Sequence, residues 1–115
     1  MRSLTRLLLG GLGPAALGMS LLAGAPAHAD TIAMIGTGRV AGALGPQFAK
    51  QGHVIIYGSR DPGRAEVQAL VAETGGRASA MGQNEAAAQA DIVVIAVPGA
   101  VAVDVVRSLG DLSGK

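Results

Sequence analysis

Gly36-Thr37-Gly38-Arg39-Val40-Ala41 has the form G-x-G-x-x-A, and its residue types and spacing carry the clearest chemistry in the chain. It follows the apolar run Thr31-Ile32-Ala33-Met34-Ile35 and opens a segment with helical spacing. In that setting the first glycine permits a tight turn, and the second lets a pyrophosphate approach the backbone. The small Ala41 lets the helix pack closely on the strand. The helix N-terminus then turns free N–H groups and a partial positive charge toward the phosphates. A chain with 18 Gly in 115 residues also produces such motifs by chance. A purely structural glycine turn is therefore the competing reading, and the neighbouring residues must decide.

The deciding position is the end of the next apolar run, Val54-Ile55-Ile56-Tyr57. A site for NAD usually carries an Asp or Glu there, which accepts hydrogen bonds from the adenosine ribose. This chain has Gly58-Ser59-Arg60 instead. An acid would repel a 2′-phosphate, whereas glycine leaves room, serine donates a hydroxyl and arginine offers a guanidinium fork. Arg64 follows four residues later and adds a second cation. The plain alternative is that Arg60 and Arg64 are solvated surface residues. The missing acid favours a site for NADP. Arg39 lies beside the pyrophosphate turn and either meets phosphate or faces solvent. Ala96, Val97 and Pro98 close a later strand at its carboxyl end, where open α/β sheets bind their ligands. They are expected to shape the cofactor site through backbone and apolar contact. His53 and Asp91 stand at the opposite ends of their strands and read as turn residues. Asp104 reads as an exposed helix residue.

These residues need a scaffold of alternating strands and helices. Thr31 to Ile35 reads as a buried strand. A helix over Val40 to Gln51 follows, with Val40, Ala41, Leu44 and Phe48 on one apolar stripe. Pro46 falls inside it and predicts a kink or local distortion. Asp61-Pro62 predicts a helix start, Asp as N-cap and Pro as first helical residue, with the helix running to Thr74 and ended by Gly75-Gly76. Ala78 to Met81 reads as a short strand, and Asn84 as the cap of an alanine-rich helix through Ala90. Ile92 to Val97 is a β-branched strand stopped by Pro98. Ala100 to Leu109 is a last helix, and Asp111 to Lys115 is loop. Such alternation implies right-handed crossovers and a parallel sheet of about four strands, the first half of a Rossmann-type NAD(P)-binding α/β domain.

Composition fits. Half of the residues are hydrophobic, yet Phe48 and Tyr57 are the only aromatics. A core of small aliphatics suits helices lying flat on a sheet. The formal charge is +1, without a basic stripe or aromatic platform, so nucleic acid is not an expected partner. The absence of cysteine excludes a disulfide framework, a thiolate nucleophile and a thiolate zinc site, and no metal site is expected. No residue stands out as a catalytic acid, base or nucleophile.

Residues 1–29 differ in kind. Arg2 and Arg6 make a short positive region, Leu7 to Ala27 carries no charge, and Ala27-His28-Ala29 forms a small-x-small site. This is the pattern of a cleavable secretory signal peptide, with residues 30–115 as the mature domain and Asp30 as its first residue. An uncleaved membrane anchor is the rival reading, disfavoured by Gly10, Gly11, Gly13, Pro14, Gly18 and Gly24. Arg2 and Arg6 are not adjacent, so no twin-arginine signal is visible. Export to the periplasm is the expected localisation, with membrane contact only through this signal. The alternative is a cytoplasmic protein whose start codon lies downstream. Cleavage would remove two Arg and no acid, leaving 7 basic against 8 acidic residues, a formal charge of −1.

Three stretches together, Ile32 to Gly38, Gly52 to Pro62 and Ala90 to Pro98, resemble the NADP-binding domain of the coenzyme F-420-dependent NADP oxidoreductases, shared more loosely with pyrroline-5-carboxylate reductase. The resemblance covers about residues 31–115. It implies a reductase that binds NADP(H) and exchanges hydride with a second cofactor, such as a deazaflavin, or with a small substrate. Thr37, Gly38, Arg39 and the adjoining Val40 would meet the pyrophosphate. Ser59, Arg60 and Arg64 would meet the 2′-phosphate, and Ala96, Val97 and Pro98 the ribose–nicotinamide side. Two departures count against simple transfer. Such enzymes are usually cytoplasmic, and the remaining strands and substrate part do not follow Lys115, so a C-terminally truncated domain with an open apolar edge is expected. A non-catalytic exported nucleotide-binding module and an inactive fragment are the alternatives. The oligomeric state, including a homo-oligomer, stays open.

Overall fold

The computed structural model describes residues 28–115. The leader assigned to residues 1–29 therefore lies outside the described residues, apart from His28 and Ala29. Four strands, β1 (Thr31–Ile35), β2 (Val54–Gly58), β3 (Ser79–Met81) and β4 (Ile92–Ile95), alternate with four helices, α1 (Arg39–Lys50), α2 (Ala65–Thr74), α3 (Gln83–Gln89) and α4 (Gly99–Ser108). All strand pairs are parallel, in the order β3-β2-β1-β4. The chain winds outward from β1 to β3, then crosses back to place β4 on the other side of β1. The winding direction thus reverses between β1 and β4, where open α/β sheets form their ligand crevice.

Successive strand residues point to opposite faces, and each face has its own helices. Ala33, Ile35 and Ile56 pack with Ala86, Ala87 and Ala90 around α3 and with Leu109. Ile32, Met34, Ile55 and Tyr57 pack with Ala41 of α1 and Leu70 of α2. The small side chains let the helices lie close to the sheet, as the composition implied. Burial pushes the Tyr57 phenol pKa up, and the Thr74 hydroxyl pulls the other way. Thr74 Oγ1 donates to the Leu70 carbonyl at 2.7 Å, so the 2.6 Å bond between the hydroxyls has Tyr57 as its donor. The phenol is thereby satisfied although its ring is wholly buried.

Several expected local features differ. The inward stripe of α1 is Ala41, Gly45 and Phe48, while Val40 and Leu44 are exposed. The close sheet contact selects the small residues and turns the larger pair outward. Pro46 lies inside α1, as the sequence places it, and the helix continues to Lys50. The missing proline N–H withholds the usual helical donor from the Gly42 carbonyl, at a half-buried position. Asp61-Pro62 does not start α2. It forms a turn closed by the Arg64 N–H on the Asp61 carbonyl at 3.1 Å, with Pro62 at the position that favours its fixed φ. The helix begins at Ala65, behind Arg64. Gly82, not Asn84, precedes α3, and the Glu85 carboxylate accepts the Gly82 N–H at 3.2 Å. The strand expected through Val97 ends at Ile95.

His53 and Asp91 sit at the N-terminal end of the sheet as expected: His53 Nδ1 accepts the Asp30 N–H, and Asp91 Oδ2 accepts the Thr31 N–H, each at 3.0 Å. Among the described residues no helix is long and apolar enough to cross a membrane, and no group of side chains is placed to hold a metal ion.

A Cβ on Gly45 would strike the Tyr57 hydroxyl and come within 2.8 Å of its Cζ. Gly45→Ala is therefore expected to cost about 1–3 kcal/mol in urea unfolding. Tyr57→Phe alone should cost about 1 kcal/mol. Because removal of the hydroxyl relieves the clash, the double variant should lose less than the sum of the two.

Candidate cofactor site

The carboxyl ends of the four strands surround a cleft of about 520 Å³. Its floor is the turn after β1. Gly36 has φ +112°, a conformation L side chains rarely adopt, and a Cβ there would run into the Ala96 carbonyl. The Gly36 N–H donates to the Gly58 carbonyl at 3.0 Å, and the Ala96 N–H donates to the Ile35 carbonyl at 2.8 Å. The turn is thereby tied to β2 on one side and pressed against the end of β4 on the other. Thr37 lines the cleft beside Gly36. Gly38, Arg39 and Val40 form the exposed opening turn of α1 next to it, and nothing lies within 4 Å of where a Gly38 Cβ would be. The first backbone N–H groups of α1 have no partners within the helix and are available to an anion.

One wall is the segment after β2. The Ser59 N–H donates to the Met81 carbonyl at 3.0 Å, and its Oγ accepts the Asp61 N–H at 3.1 Å. The hydroxyl hydrogen remains free to donate. Ser59 is buried while Arg60 is exposed. Arg64 also lines the cleft, but its Nε lies 3.0 Å from Glu66 Oε2, both side chains being well exposed. That exposed pair is weak and gives way readily to a stronger anion. The opposite wall is Val97, Pro98, Val101 and Val105.

The structure thus gathers Gly36, Thr37, Ser59, Arg60, Arg64, Val97 and Pro98 around one cavity. Gly38, Arg39 and Val40 stand at its edge, and Ala96 lies beneath its floor. Gly58, Asp61, Gln83, Val101 and Val105 also line it and were not picked out as contacts from sequence. Gln83 and Val101 come from helix starts and Val105 from the next turn of α4, and their positions depend on how the sheet is wound, which no local pattern reveals. Among the described residues the lining holds two guanidinium groups and one carboxylate, Asp61, and no His, Lys, Glu, Tyr or Cys. Two guanidinium groups in one lining suit an anionic ligand.

Gly58 shows why no acid stands at the last position of β2. A Cβ there would lie 2.8 Å from Ile35 Cδ1, 3.1 Å from Gln83 Cα and 3.4 Å from Ala86 Cβ. The start of α3 rests on this glycine.

Residues 31–115 match the family described as NADP oxidoreductase, coenzyme F420-dependent. Among solved structures, the chain is similar to a protein of Arthrobacter sp. FB24 assigned as an F420-dependent NADP-reductase. The two share 27% identity with a TM-score of 0.63, over 70% of this chain and 39% of that one. The described fold therefore corresponds to about two-fifths of that protein's length. No curated protein matches the chain.

Gly58→Ala places a methyl against the α3 backbone and should destabilise the fold by about 1–3 kcal/mol. Ser59→Ala leaves packing intact and should cost less, about 1 kcal/mol for the Asp61 N–H it orphans. Thermal unfolding of the two variants checks the order.

Proposed function

The chain belongs to the coenzyme F420-dependent NADP oxidoreductase family, and from that premise we propose that its cleft binds NADP(H) for hydride exchange with a deazaflavin-type cofactor or a small substrate. The observation that carries this reading is Gly58-Ser59-Arg60 at the cleft end of β2. Glycine occupies the place of a ribose-binding acid, and a free hydroxyl hydrogen and a guanidinium stand beside it. Ser59, Arg60 and Arg64 bind the 2′-phosphate. Thr37, Gly38, Arg39 and Val40 bind the pyrophosphate at the N-terminus of α1. Ala96, Val97 and Pro98 shape the ribose–nicotinamide side.

The nicotinamide supplies the redox chemistry, and the protein's part is positioning and electrostatics. This division suits a cleft without a strong general acid or base. Val97, Pro98, Val101 and Val105 provide an apolar wall on one side of the cavity. Residues 1–29 are proposed to act as an export signal, which places the mature domain outside the cytoplasm.

NADPH and NADH are titrated in parallel into the full chain and its Arg60→Ala variant. NADPH should bind about 10- to 100-fold tighter than NADH, and Arg60→Ala should remove most of that preference, as expected for a lost hydrogen bond between charged groups. Equal affinities, or no binding to folded protein, would overturn the proposal. Glu66→Gln frees Arg64 from its present partner and should tighten NADPH by a few-fold while leaving NADH unchanged.

A further inference from the structure

We propose that the Ala29–Asp30 peptide bond is a processing site, and that the amine released on Asp30 docks on His53 at the N-terminal end of the sheet. His28 and Ala29 are exposed, whereas the Asp30 carbonyl already accepts the Val54 N–H at 2.9 Å. The bond thus lies where the chain leaves the sheet, one residue before β1, and it follows the small-x-small site Ala27-His28-Ala29. Hydrolysis by a signal peptidase adds the hydroxyl of water to the Ala29 carbonyl carbon and a hydrogen to the Asp30 nitrogen. No other co-reactant is needed.

The end of β1 suits the product better than the precursor. The Asp30 nitrogen donates its single hydrogen to His53 Nδ1 at 3.0 Å. After cleavage the same nitrogen is an ammonium with three hydrogens, and the groups around it are acceptors. His53 Nδ1 is already in place, held with its ring edge-on to Phe48 at 6.5 Å between centroids. The Asp30 carboxylate lies 2.9 Å from His28 Nε2 in the uncut chain, and His28 leaves with the leader. One residue along, Asp91 Oδ2 accepts the Thr31 N–H at 3.0 Å, which ties the start of β1 on its other side. A positive terminus on the imidazole nitrogen, with the carboxylate of its own residue beside it, gains charge-assisted hydrogen bonds that the amide cannot make. It also fixes the first residue of the central strand, where chain termini otherwise fray. Processing at this end of the sheet is independent of what binds at the other.

The test uses the full chain made in a secretion-competent bacterial host. Intact mass should show Asp30 as the first residue, and Ala29→Leu should accumulate the uncut chain. A retained leader, a different first residue, or undiminished cutting of Ala29→Leu would overturn the processing site. The α-amine of the mature protein is then labelled with an aldehyde reagent. Labelling should be about tenfold slower than in the urea-unfolded chain, and His53→Ala should remove most of that protection, with His53→Gln restoring part of it through its amide oxygen. Equal labelling of folded and unfolded wild-type protein, or full protection in His53→Ala, would overturn the docking.

Discussion

Everything at the working end of this sheet depends on the contact between Gly36 and the two strand ends beside it. The Gly36 N–H bonds to the Gly58 carbonyl, and its Cα lies so near the Ala96 carbonyl that no side chain fits. One residue thereby joins the ends of β1, β2 and β4. The cleft is the space above that junction. Its position follows from topology, because β4 crosses back to flank β1 and splays the connections on either side apart. Its chemistry follows from the same junction, because the turn that Gly36 makes aims the start of α1 at the cavity.

The layers behind the junction obey one rule, that helices approach the central strands through small residues. Ala41 and Gly45 do this for α1, and Ala86, Ala87 and Ala90 for α3. Close approach increases contact between helix and sheet backbones, so a chain with two aromatics still builds a dense core. The exception is the outer side of β4 and α4. Ile92, Val103 and Val106 are exposed there, and α4 has no buried residue. An apolar edge of this kind is a surface that pairs readily with further chain or with a partner.

The glycine turn, the parallel alternation and the Gly58-Ser59-Arg60 segment were legible because each has a local signature that physics ties to one structure. The misreadings have a common cause, in that a tertiary contact outweighed a local preference. Leu44 looked like a core residue by spacing, but Ala41, Gly45 and Phe48 fill the space beneath α1. Asp61-Pro62 looked like a helix start, but Ser59 Oγ takes the Asp61 N–H and Arg64 closes a turn first. Asn84 looked like a cap, but Glu85 reaches back to the Gly82 N–H. Gln83, Val101 and Val105 were invisible as cleft residues, since their presence depends on which strands become neighbours. His53 read simply as a turn histidine, and its bond to the Asp30 N–H spans 23 residues of sequence.

Gly58 links the fold to the proposed cofactor choice. In a site for NAD, an acidic side chain projects from this position toward the ribose. Here the start of α3 occupies that path, with Gln83 Cα 3.1 Å and Ala86 Cβ 3.4 Å from where a Cβ would be. The helix cannot withdraw alone, because Ala86, Ala87 and Ala90 anchor it to Ala33, Ile35 and Ile56 in a core with almost no exposure. Moving it would open a void beneath α3, at a cost that grows with cavity volume. Exclusion of the acid is therefore a packing constraint first and an electrostatic one second. Ser59 and Arg60 could change at little cost to the fold, whereas Gly58 keeps an acidic side chain from the end of β2. A preference built this way would survive surface drift, since changing it requires α3 and the sheet to repack together.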